Sequence, residues 1–348
     1  MNRADVTHND PSNMAELIRA FPGHIDEAVR IGMSQKISVK TGGVRSIVVT
    51  GLGGSAIGGD LLRCFLADEL SVPLIVNRSY ELPEFVGSST LVIVSSYSGN
   101  TEETVAAHRE ALKRKARILA ISSDGTTAAM AKRNRDACLT IPAGFPPRAA
   151  LAYSFFPLLI ALWRLGFVAP KTRAIAETVA VLSELSERYG DVEARANRAL
   201  EVATTLHGTI PVIYSPSHLE AVNLRWRGQI AENAKQLAYG NVIPEMNHNE
   251  IVGWKALPHL LKSFSVVFLA DRETHRRVRP RMLYTDEVLR SRAASVSVVE
   301  SVGRSRLART SSLVHTGDWV SLYLAILNRE DPTPVRVIDA LKHRLQTV

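Results

Sequence analysis

The amino-acid sequence predicts an α/β protein with two domains, each a parallel sheet flanked by helices in the doubly wound, flavodoxin-like arrangement. Short β-rich runs alternate with helical runs in the first half of the chain, and this alternation is typical of parallel sheets that are covered on both faces. A proline-rich stretch at 142–147 interrupts the pattern, and β-rich runs resume at residue 210. The length of 348 residues is sufficient for two domains with full cores.

The first half contains five β-rich runs that we interpret as buried strands. They are Ser46–Thr50, Leu74–Val76, Leu91–Ser95, Ile118–Ile121 and Ala137–Ile141. Helices are predicted between most of them, notably over Ser55–Ala67 and Thr101–Arg114. Residues 1–24 are expected to form an irregular arm followed by a helix.

The second half begins with an apolar helix over Ala149–Leu165 and a break at Gly166–Pro170. We place the domain boundary in this region and divide the chain into residues 1–150 and 151–348. Further helices are predicted over Lys171–Tyr189, Val192–Leu206, Asp318–Asn328 and Val335–Leu345, and strands over Ile210–Tyr214, Ser263–Leu269 and Ser295–Val299. The second domain is therefore expected to be another α/β layer structure.

One helix of the second half has a recognisable start. Ser217 and Glu220 have the spacing of a capping box, in which two side chains bond the first free N–H groups of a helix. The apolar residues of this helix recur on one face; they are Leu219, Val222, Trp226 and Ile230. Glu232 lies off this stripe, so we expect it to face solvent, a cleft or another subunit.

Composition excludes several classes of protein. Apolar residues make up 46% and charged residues 22%, which is normal for a soluble globular protein, and no apolar run is long enough to span a membrane. The polar, acid-containing segment Met1–Asn13 resembles neither a signal peptide nor a transit peptide, so we expect a cytoplasmic protein. Cys64 and Cys138 lie far apart in apolar contexts and are predicted to be buried thiols. The histidines show no metal-ligand spacing, and no metal site is expected.

The net charge of +8 is compatible with two kinds of partner, nucleic acids and small phosphates. The densest basic run, Arg272 to Arg281, lacks interleaved aromatic residues and any recognisable nucleic-acid-binding module. We therefore interpret this run as a solvated face at the start of a helix and predict no nucleic-acid partner.

A glycine-rich loop follows the first strand. Gly53, Gly54 and Ser55 lie in this loop, where glycines allow the backbone to turn sharply and a ligand to approach the main chain. A helix that begins near Ser55 would direct its free N–H groups and the positive end of its dipole at an anion.

The same loop fits a second type of site. Gly51, Gly53 and Ala56 match the G-x-G-x-x-A fingerprint of dinucleotide-binding folds. The second strand ends in Asn77 and Arg78, whereas folds that bind NAD have an acid there. Two alternatives stay open at this point: an NADP site in which Arg78 faces the 2′-phosphate, and a tight turn with no ligand.

A second loop, after the strand Leu91–Ser95, favours a phosphate. Ser96, Ser98 and Thr101 supply three hydroxyl groups around Gly99, and the next helix adds backbone N–H groups. Together these donors can surround a phosphate monoester without a metal. Helix capping alone would explain one Ser or Thr but not three.

Several segments, in order along almost the whole chain, resemble one family. Ser96–Thr104 is similar to the phosphate loop of sugar isomerase (SIS) domains, and Gly51–Asp60 to the glycine loop of the bifunctional phosphoglucose/phosphomannose isomerases within that superfamily. The similarity continues through Pro147–Leu151, Glu232–Lys235, Asn247–Trp254 and Lys342. It implies two SIS-type domains and an isomerase that interconverts glucose, fructose and mannose 6-phosphates through an enediolate, without metal or nucleotide cofactor.

The resemblance also implies roles for individual residues. Glu232 corresponds to the base that moves the proton between C1 and C2, although its spacing alone also fits a surface carboxylate paired with Lys235. His248 corresponds to a histidine that assists ring opening from the neighbouring subunit of a homodimer. Its polar surroundings also fit a hydrogen-bonded loop histidine.

Three further residues complete the implied site. Arg148 corresponds to the arginine that stabilises the enediolate, and its alternative is an exposed cation. Lys342 corresponds to a lysine implicated in ring opening, and its alternative is a solvated position on a basic helix. Thr333 corresponds to the threonine that lets this family accept mannose 6-phosphate. The implied active site lies between the two domains and is shared between subunits.

Other functions remain alternatives at this stage. A non-catalytic SIS-type sugar-phosphate sensor would keep the loop Ser96–Thr101 but would not need Glu232, His248 and Arg148 together. An SIS isomerase of another phosphosugar and an NADP-dependent oxidoreductase are the remaining candidates.

Overall fold

The computed structural model describes residues 1–345 and contains two parallel sheets with accompanying helices, which confirms the predicted fold class. The nine strands of residues 1–345 are β1 Ser46–Thr50, β2 Leu74–Asn77, β3 Thr90–Ser95, β4 Arg117–Ser122, β5 Ala137–Thr140, β6 Ile210–Pro216, β7 Tyr239–Ile243, β8 Phe264–Ala270 and β9 Ser295–Glu300. The α-helices in the same range are α1 Arg3–Asn9, α2 Met14–Arg19, α3 Phe21–Ser34, α4 Gly53–Phe65, α5 Glu102–Lys113, α6 Gly125–Asn134, α7 Leu151–Arg164, α8 Thr172–Gly190, α9 Arg198–Leu206, α10 Glu220–Ala234, α11 Glu250–Gly253, α12 Pro258–Leu261, α13 Arg279–Arg290, α14 Arg306–Leu327 and α15 Arg336–Leu345.

The first sheet has the strand order β2-β1-β3-β4-β5, and all of its neighbouring strands are parallel. Strands β1 and β3 are buried along their whole length, as expected for a sheet covered on both faces. The register sets Ile47 beside both Leu74 and Leu91, so apolar side chains adjoin across the sheet. The five strands predicted in the first half are confirmed. Because the chain runs outward in both directions from β1 and β3, their carboxyl ends form the switch point where such sheets bind ligands.

Helix α7 packs against helix α3, which belongs to the same compact unit as the first sheet. Its residues 151–162 are buried. The Tyr153 hydroxyl donates a hydrogen bond to Glu27 of α3 at 2.5 Å, and Arg164 donates to the carbonyl of Gly32 at 2.7 Å. The contacts accordingly group residues 20–180 and 304–308 into one compact unit, here called the first unit. This grouping extends beyond the predicted boundary at residue 150 because of these helix contacts.

The second unit comprises residues 1–19, 181–303 and 309–345 and contains the second sheet. Its strand order is β7-β6-β8-β9, again all parallel. The three strands predicted here are confirmed, whereas β7 was not predicted. Strand β7 is an edge strand in which Tyr239 is exposed and only Ile243 is buried, so it lacks the apolar run that marks the other strands.

Two helices of the second half begin at different residues from those predicted. Helix α9 begins at Arg198 rather than Val192, because the Asn197 side chain accepts a hydrogen bond from the N–H of Leu200 and caps the helix there. Helix α14 begins at Arg306 rather than Asp318. Its early turns contain several Ser, Thr and Arg residues, which hid the helix in the sequence.

The predicted capping box at Ser217 and Glu220 is wrong. Ser217 lies in a 3₁₀ turn, and its hydroxyl donates to the carbonyl of Ile243 at 3.1 Å. Helix α10 therefore starts at Glu220 without a side-chain cap. Its predicted apolar stripe is confirmed, since the four residues are buried; they are Leu219, Val222, Trp226 and Ile230.

The basic run Arg272–Arg281 was predicted to lie at the start of a helix, but only its last three residues do, because α13 starts at Arg279. Most of the run is an exposed turn after β8. Cys64 and Cys138 are half-buried rather than buried. Within residues 1–345, no helix is long and apolar enough to cross a membrane, and no group of three or more His, Cys, Asp or Glu side chains could hold a metal ion.

Candidate active site

Three loops of the first unit meet at the carboxyl ends of β1, β3 and β4. The N–H of Tyr97 donates to Ser55 Oγ at 3.1 Å, which joins the loop after β3 to the glycine loop after β1. The N–H of Ser123 donates to the Tyr97 carbonyl at 3.0 Å and joins the loop after β4. The switch point of the first sheet is therefore surrounded by three mutually bonded loops.

The loop after β3 presents the predicted hydroxyl groups. Ser96 is buried, and its hydroxyl donates to Thr101 Oγ1 at 3.4 Å. Ser98 is exposed and accepts a hydrogen bond from the N–H of Asn100 at 3.3 Å. Thr101 is the N-cap residue of α5, yet its side chain makes no capping hydrogen bond. Capping therefore does not explain these hydroxyls, and the N-terminal N–H groups of α5 remain suited to an anion.

Gly99 holds this loop in its shape. It has a φ of +73°, and a Cβ atom at this position would overlap the carbonyl oxygen of Asp124. Only glycine fits such a position without moving the backbone. The Asn100 side chain adds a second link, because its Oδ1 accepts hydrogen bonds from the N–H and the hydroxyl of Thr126 at 2.9 and 3.0 Å.

The glycine loop lies against the segment that contains Arg148. A Cβ atom on Gly54 would lie 2.5 Å from the carbonyl oxygen of Pro147, so the two backbones approach closely. Gly53 is exposed at the first turn of α4, and Ser55 is buried two residues later. Arg148 lies in a 3₁₀ turn and is only 4% exposed. The alternative that Arg148 is an exposed cation is therefore wrong, and a permanent positive charge is buried beside the glycine loop.

Tyr97 is a residue of this region that the sequence did not single out. Its hydroxyl accepts a hydrogen bond from the N–H of Phe145 at 2.8 Å and so ties the β3 loop to the segment before Arg148. Burial raises the pKa of the Tyr97 hydroxyl, which keeps it neutral. The only signal in the sequence was one aromatic residue in a loop of small hydroxyl residues.

Glu232 lies in the second unit, near the end of α10, where it is half-buried. It lines a cavity of about 520 Å³ together with Lys235, Asp331 and Arg336. Lys235 directs its ammonium group to backbone carbonyls, including that of Glu232 at 2.7 Å. Glu232 thus borders a cavity and is not a fully exposed surface carboxylate.

Thr333 belongs to the loop that borders this cavity. Its N–H donates to Asp331 Oδ1 at 2.9 Å, and Pro334 lines the cavity. Lys342 lies on α15, where its side chain is 67% exposed and 4.0 Å from Asp339. Neither Lys342 nor His248 lines the cavity of Glu232.

His248 is exposed, and residues on either side of it in the chain are held by hydrogen bonds. The Asn247 side chain donates to Thr285 Oγ1 at 2.8 Å, and Trp254 Nε1 donates to the Tyr214 hydroxyl at 2.9 Å. His248 itself ends a 3₁₀ turn and is exposed, as is Val252. Hydrogen bonds on both sides of His248 thus hold the segment in place, while His248 itself is exposed.

Glu250, in the same segment, is an internal partner. Asn241 donates to one of its carboxylate oxygens at 2.7 Å, and the Tyr214 hydroxyl donates to the other. Burial, and then the Glu250 carboxylate, raise the pKa of Tyr214, which therefore remains a donor. Both oxygens of Glu250 accept hydrogen bonds within the protein, which disfavours Glu250 as a base.

Comparison with known proteins identifies the family of the chain. A family model described as the bacterial phospho-glucose isomerase C-terminal SIS domain matches residues 195–345, and a model of the SIS domain matches residues 43–166. The bifunctional phosphoglucose/phosphomannose isomerase of Caldicellulosiruptor bescii is 46% identical over 337 residues, which cover 96% of this chain and 99% of that protein. The chain belongs to the bifunctional phosphoglucose/phosphomannose isomerase family.

One relative with a different name and one solved structure are also similar to this chain. The D-glucosamine-6-phosphate 4-epimerase of Sulfolobus acidocaldarius is 32% identical over 221 residues, which cover 61% of this chain and 64% of that protein. A crystal structure of a hypothetical protein from Thermus thermophilus superimposes with a TM-score of 0.74 at 15% identity, covering 99% of this chain and 94% of that one. The second likeness concerns the fold alone.

Membership of the isomerase family also decides how the dinucleotide fingerprint is interpreted. Arg78, the residue proposed to face a 2′-phosphate, forms an ion pair with the buried carboxylate of Asp60 on α4. Asn77, at the end of β2, donates to Thr50 Oγ1 at 3.3 Å. Both residues are thus engaged within the protein, and Gly54 of the glycine loop packs closely against Pro147.

Proposed function

We propose that this protein interconverts glucose 6-phosphate, fructose 6-phosphate and mannose 6-phosphate, with Glu232 as the base and without a metal ion. The family assignment supports the reaction, since relatives that span nearly the whole chain are named for it. The hydroxyl loop at the switch point of the first sheet is the structural observation that carries the proposal. This loop suits a phosphate monoester and leaves the sugar end of the substrate to other groups.

The chemistry requires a base near the C1–C2 pair of the open-chain sugar. Glu232 accepts the proton from C1 of fructose 6-phosphate, which leaves an enediolate, and returns a proton to C2. Glu232 is suited to this role because it lines a cavity. A carboxylate positioned within reach of the carbon acid contributes through proximity as well as basicity.

Charge develops on the substrate oxygens in the enediolate. Arg148 is the group assigned to stabilise it, because a buried guanidinium keeps its charge at any working pH and interacts strongly where water is excluded. Ser96, Ser98, Thr101 and the N-terminus of α5 hold the phosphate, with Gly53, Gly54 and Ser55 as the adjoining loop. The phosphate and the enediolate are thus served by different groups.

The working form is a homodimer in which His248 assists ring opening in the site of the partner subunit, together with Lys342. The exposure of His248 on an anchored segment supports this assignment, and so does the exposure of Lys342. Mixing inactive Glu232→Gln with inactive His248→Ala subunits is expected to regenerate activity, because one hybrid site would contain both native residues. Absence of recovery after verified subunit exchange would place both groups on one chain.

The direct test is an assay of the chelator-treated protein with fructose 6-phosphate, in which glucose and mannose 6-phosphates are measured separately. Formation of both products without added metal or NADP is expected. Loss of activity on chelation that zinc restores would contradict the metal-independent mechanism. No formation of either product by folded protein would contradict the function itself.

Another phosphosugar is a second candidate substrate. The 32% identity to a D-glucosamine-6-phosphate 4-epimerase favours including D-glucosamine 6-phosphate in the same assay. Its conversion at a kcat/KM above that for fructose 6-phosphate would identify the amino sugar as the preferred substrate.

A further inference from the structure

Lys235 ends helix α10 and makes an unusual set of contacts. Its ammonium group donates to the carbonyl oxygens of Glu232 at 2.7 Å, of Asn233 at 3.4 Å and of Pro332 at 3.3 Å. An ammonium group has three N–H donors, and here three carbonyls accept from it. Two of these carbonyls belong to the end of α10 and the third to the loop before Thr333. Lys235 therefore connects the residue proposed as the base to the loop proposed to control substrate choice.

The backbone conformation at position 235 does not favour lysine, so the contacts of its side chain are the reason for a lysine at this position. Lys235 is in the left-handed region, with a φ of +54°, at the C-cap of α10. Glycine adopts this conformation more readily than any other residue and is the commonest at such helix ends. A lysine at this position has a less favourable backbone conformation than glycine and adds the contact to Pro332.

The cavity beside Glu232 gives this connection a consequence. Glu232 and Lys235 line it from α10, and Asp331 and Pro334 line it from the loop. The N–H of Thr333, between these two, is held by Asp331. A change in the distance between α10 and the loop would therefore change the shape of the cavity that Glu232 lines.

We infer that Lys235 is a positioning residue that sets the separation between Glu232 and the loop 331–334, and thereby sets the ratio of glucose to mannose 6-phosphate formed from fructose 6-phosphate. The inference rests on the proposed function. Both products arise from one enediolate, and they differ only in which face of C2 receives the proton. The face is decided by how the sugar lies between the proton donor and the opposite wall of its site.

Two variants separate this role from a purely structural one. Lys235→Gly removes the side chain but suits the left-handed backbone, so helix α10 keeps its end. Lys235→Met keeps most of the length and apolar volume without the donors. Lys262→Met is the matched control, because Lys262 likewise donates to two carbonyls, of Ser291 and Ala293, both at 3.1 Å, far along the chain from Glu232.

Both Lys235 variants are expected to lower kcat by about tenfold or more, since displacement of a reacting group by a fraction of an ångström to 1 Å has effects of this order. They should also change the product ratio of glucose to mannose 6-phosphate, with little change in KM. Lys262→Met should leave kcat and the ratio as in the wild type. Thermal unfolding of all three variants shows whether each is folded.

Wild-type kcat and product ratio in folded Lys235→Gly and Lys235→Met would overturn the inference while leaving the proposed function intact. An equal change of the product ratio in Lys262→Met would also overturn the inference. The loss of any lysine that donates to backbone carbonyls would then have the same effect on the ratio. If the wild-type protein forms neither product, the proposed function itself is contradicted. The wild-type assay therefore distinguishes failure of the proposed function from failure of the inference about Lys235.

Discussion

The two sheets share one topology but differ in what lies at their switch points. After β3, the central strand of the first sheet, the chain forms a loop of hydroxyl residues around Gly99 at the free N-terminus of α5. After β8, the corresponding strand of the second sheet, it places the buried carboxylate of Asp271. The first arrangement offers hydrogen-bond donors to an anion, whereas the second presents a hydrogen-bond acceptor.

Asp271 is fixed by partners from three elements. Ser301 after β9 and Arg309 on α14 donate to its Oδ1 at 2.6 and 2.7 Å, and His218 after β6 lies 3.2 Å from its Oδ2. Burial would raise the pKa of Asp271, but the hydrogen bonds from these three residues hold it below the usual value. The carboxylate at this end of the second sheet is thus engaged in an ion network within the protein, although Asp271 also borders a cavity of about 400 Å³. The proposed function therefore assigns phosphate binding to the loop after β3, whereas the carboxylate after β8 is assigned to stability.

Removal of the hydroxyls from the β3 loop should have the largest effect on substrate binding. In Ser98→Ala combined with Thr101→Ala, each lost hydrogen bond to the charged phosphate costs about 1.5–3 kcal/mol, so KM should rise by roughly 100-fold or more. Thr274→Ala, which removes a hydroxyl from the loop after β8, is the control and should leave KM unchanged. Steady-state kinetics with fructose 6-phosphate measure both. An unchanged KM in the double variant would remove the β3 loop from the site.

Breaking the ion network after β8 should affect stability instead. Asp271→Asn keeps the shape of the side chain but removes the charge opposite Arg309, whose pairing with Glu273 remains. Loss of this buried hydrogen bond between charged groups predicts a decrease in the free energy of unfolding of about 1.5–3 kcal/mol. KM should remain near the wild-type value under conditions where the variant is folded. A large rise in KM with unchanged unfolding would reverse the assigned roles of the two loops.

The smallest predicted effect is a pH dependence within the first unit. Burial lowers the pKa of His108 on α5 from 6.5 to about 4, and neither ring nitrogen has a hydrogen-bond partner among residues 1–345. Because the unfolded chain binds a proton to this histidine that the folded chain does not, stability should fall as the pH decreases from 6.5 to about 4. The slope is at most about 1.4 kcal/mol per pH unit.

Chemical unfolding at several pH values in this range, for the wild type and for His108→Leu, measures that slope. The variant should show a smaller loss of stability on acidification, because it has no histidine to protonate at this position. Identical slopes for the two proteins would show that His108 is accessible to protons in the folded state.

The elements that could be predicted from the sequence are those whose burial leaves a local pattern. Strands β1 and β3 are buried throughout and have apolar centres because both faces of the sheet are covered, and the hydroxyl loop follows β3 directly in the chain. Strand β7 escaped prediction because an edge strand with exposed Tyr239 has no such pattern.

Features that depend on distant partners could not be predicted. Ser217 bonds the carbonyl of Ile243 instead of capping α10, and nothing near Ser217 in the sequence indicates this. The burial of Arg148 depends on the close approach of Pro147 to Gly54, almost one hundred positions earlier in the chain. The hydrogen bond from Lys235 to the carbonyl of Pro332 likewise joins two segments that are far apart in the chain. The roles of Glu232, His248, Arg148, Lys342 and Thr333 remain predictions.

The role of Glu232 is tested most directly by proton exchange. Wild-type protein in deuterated water should convert fructose 6-phosphate into glucose and mannose 6-phosphates that carry deuterium at C2, because an enediolate takes its proton from a base that exchanges with solvent. Glu232→Gln should lose both isomerisation, by roughly 10²- to 10⁴-fold, and exchange, while it still binds fructose 6-phosphate. Folded Glu232→Gln that isomerises and exchanges at the wild-type rate would show that Glu232 is not the base.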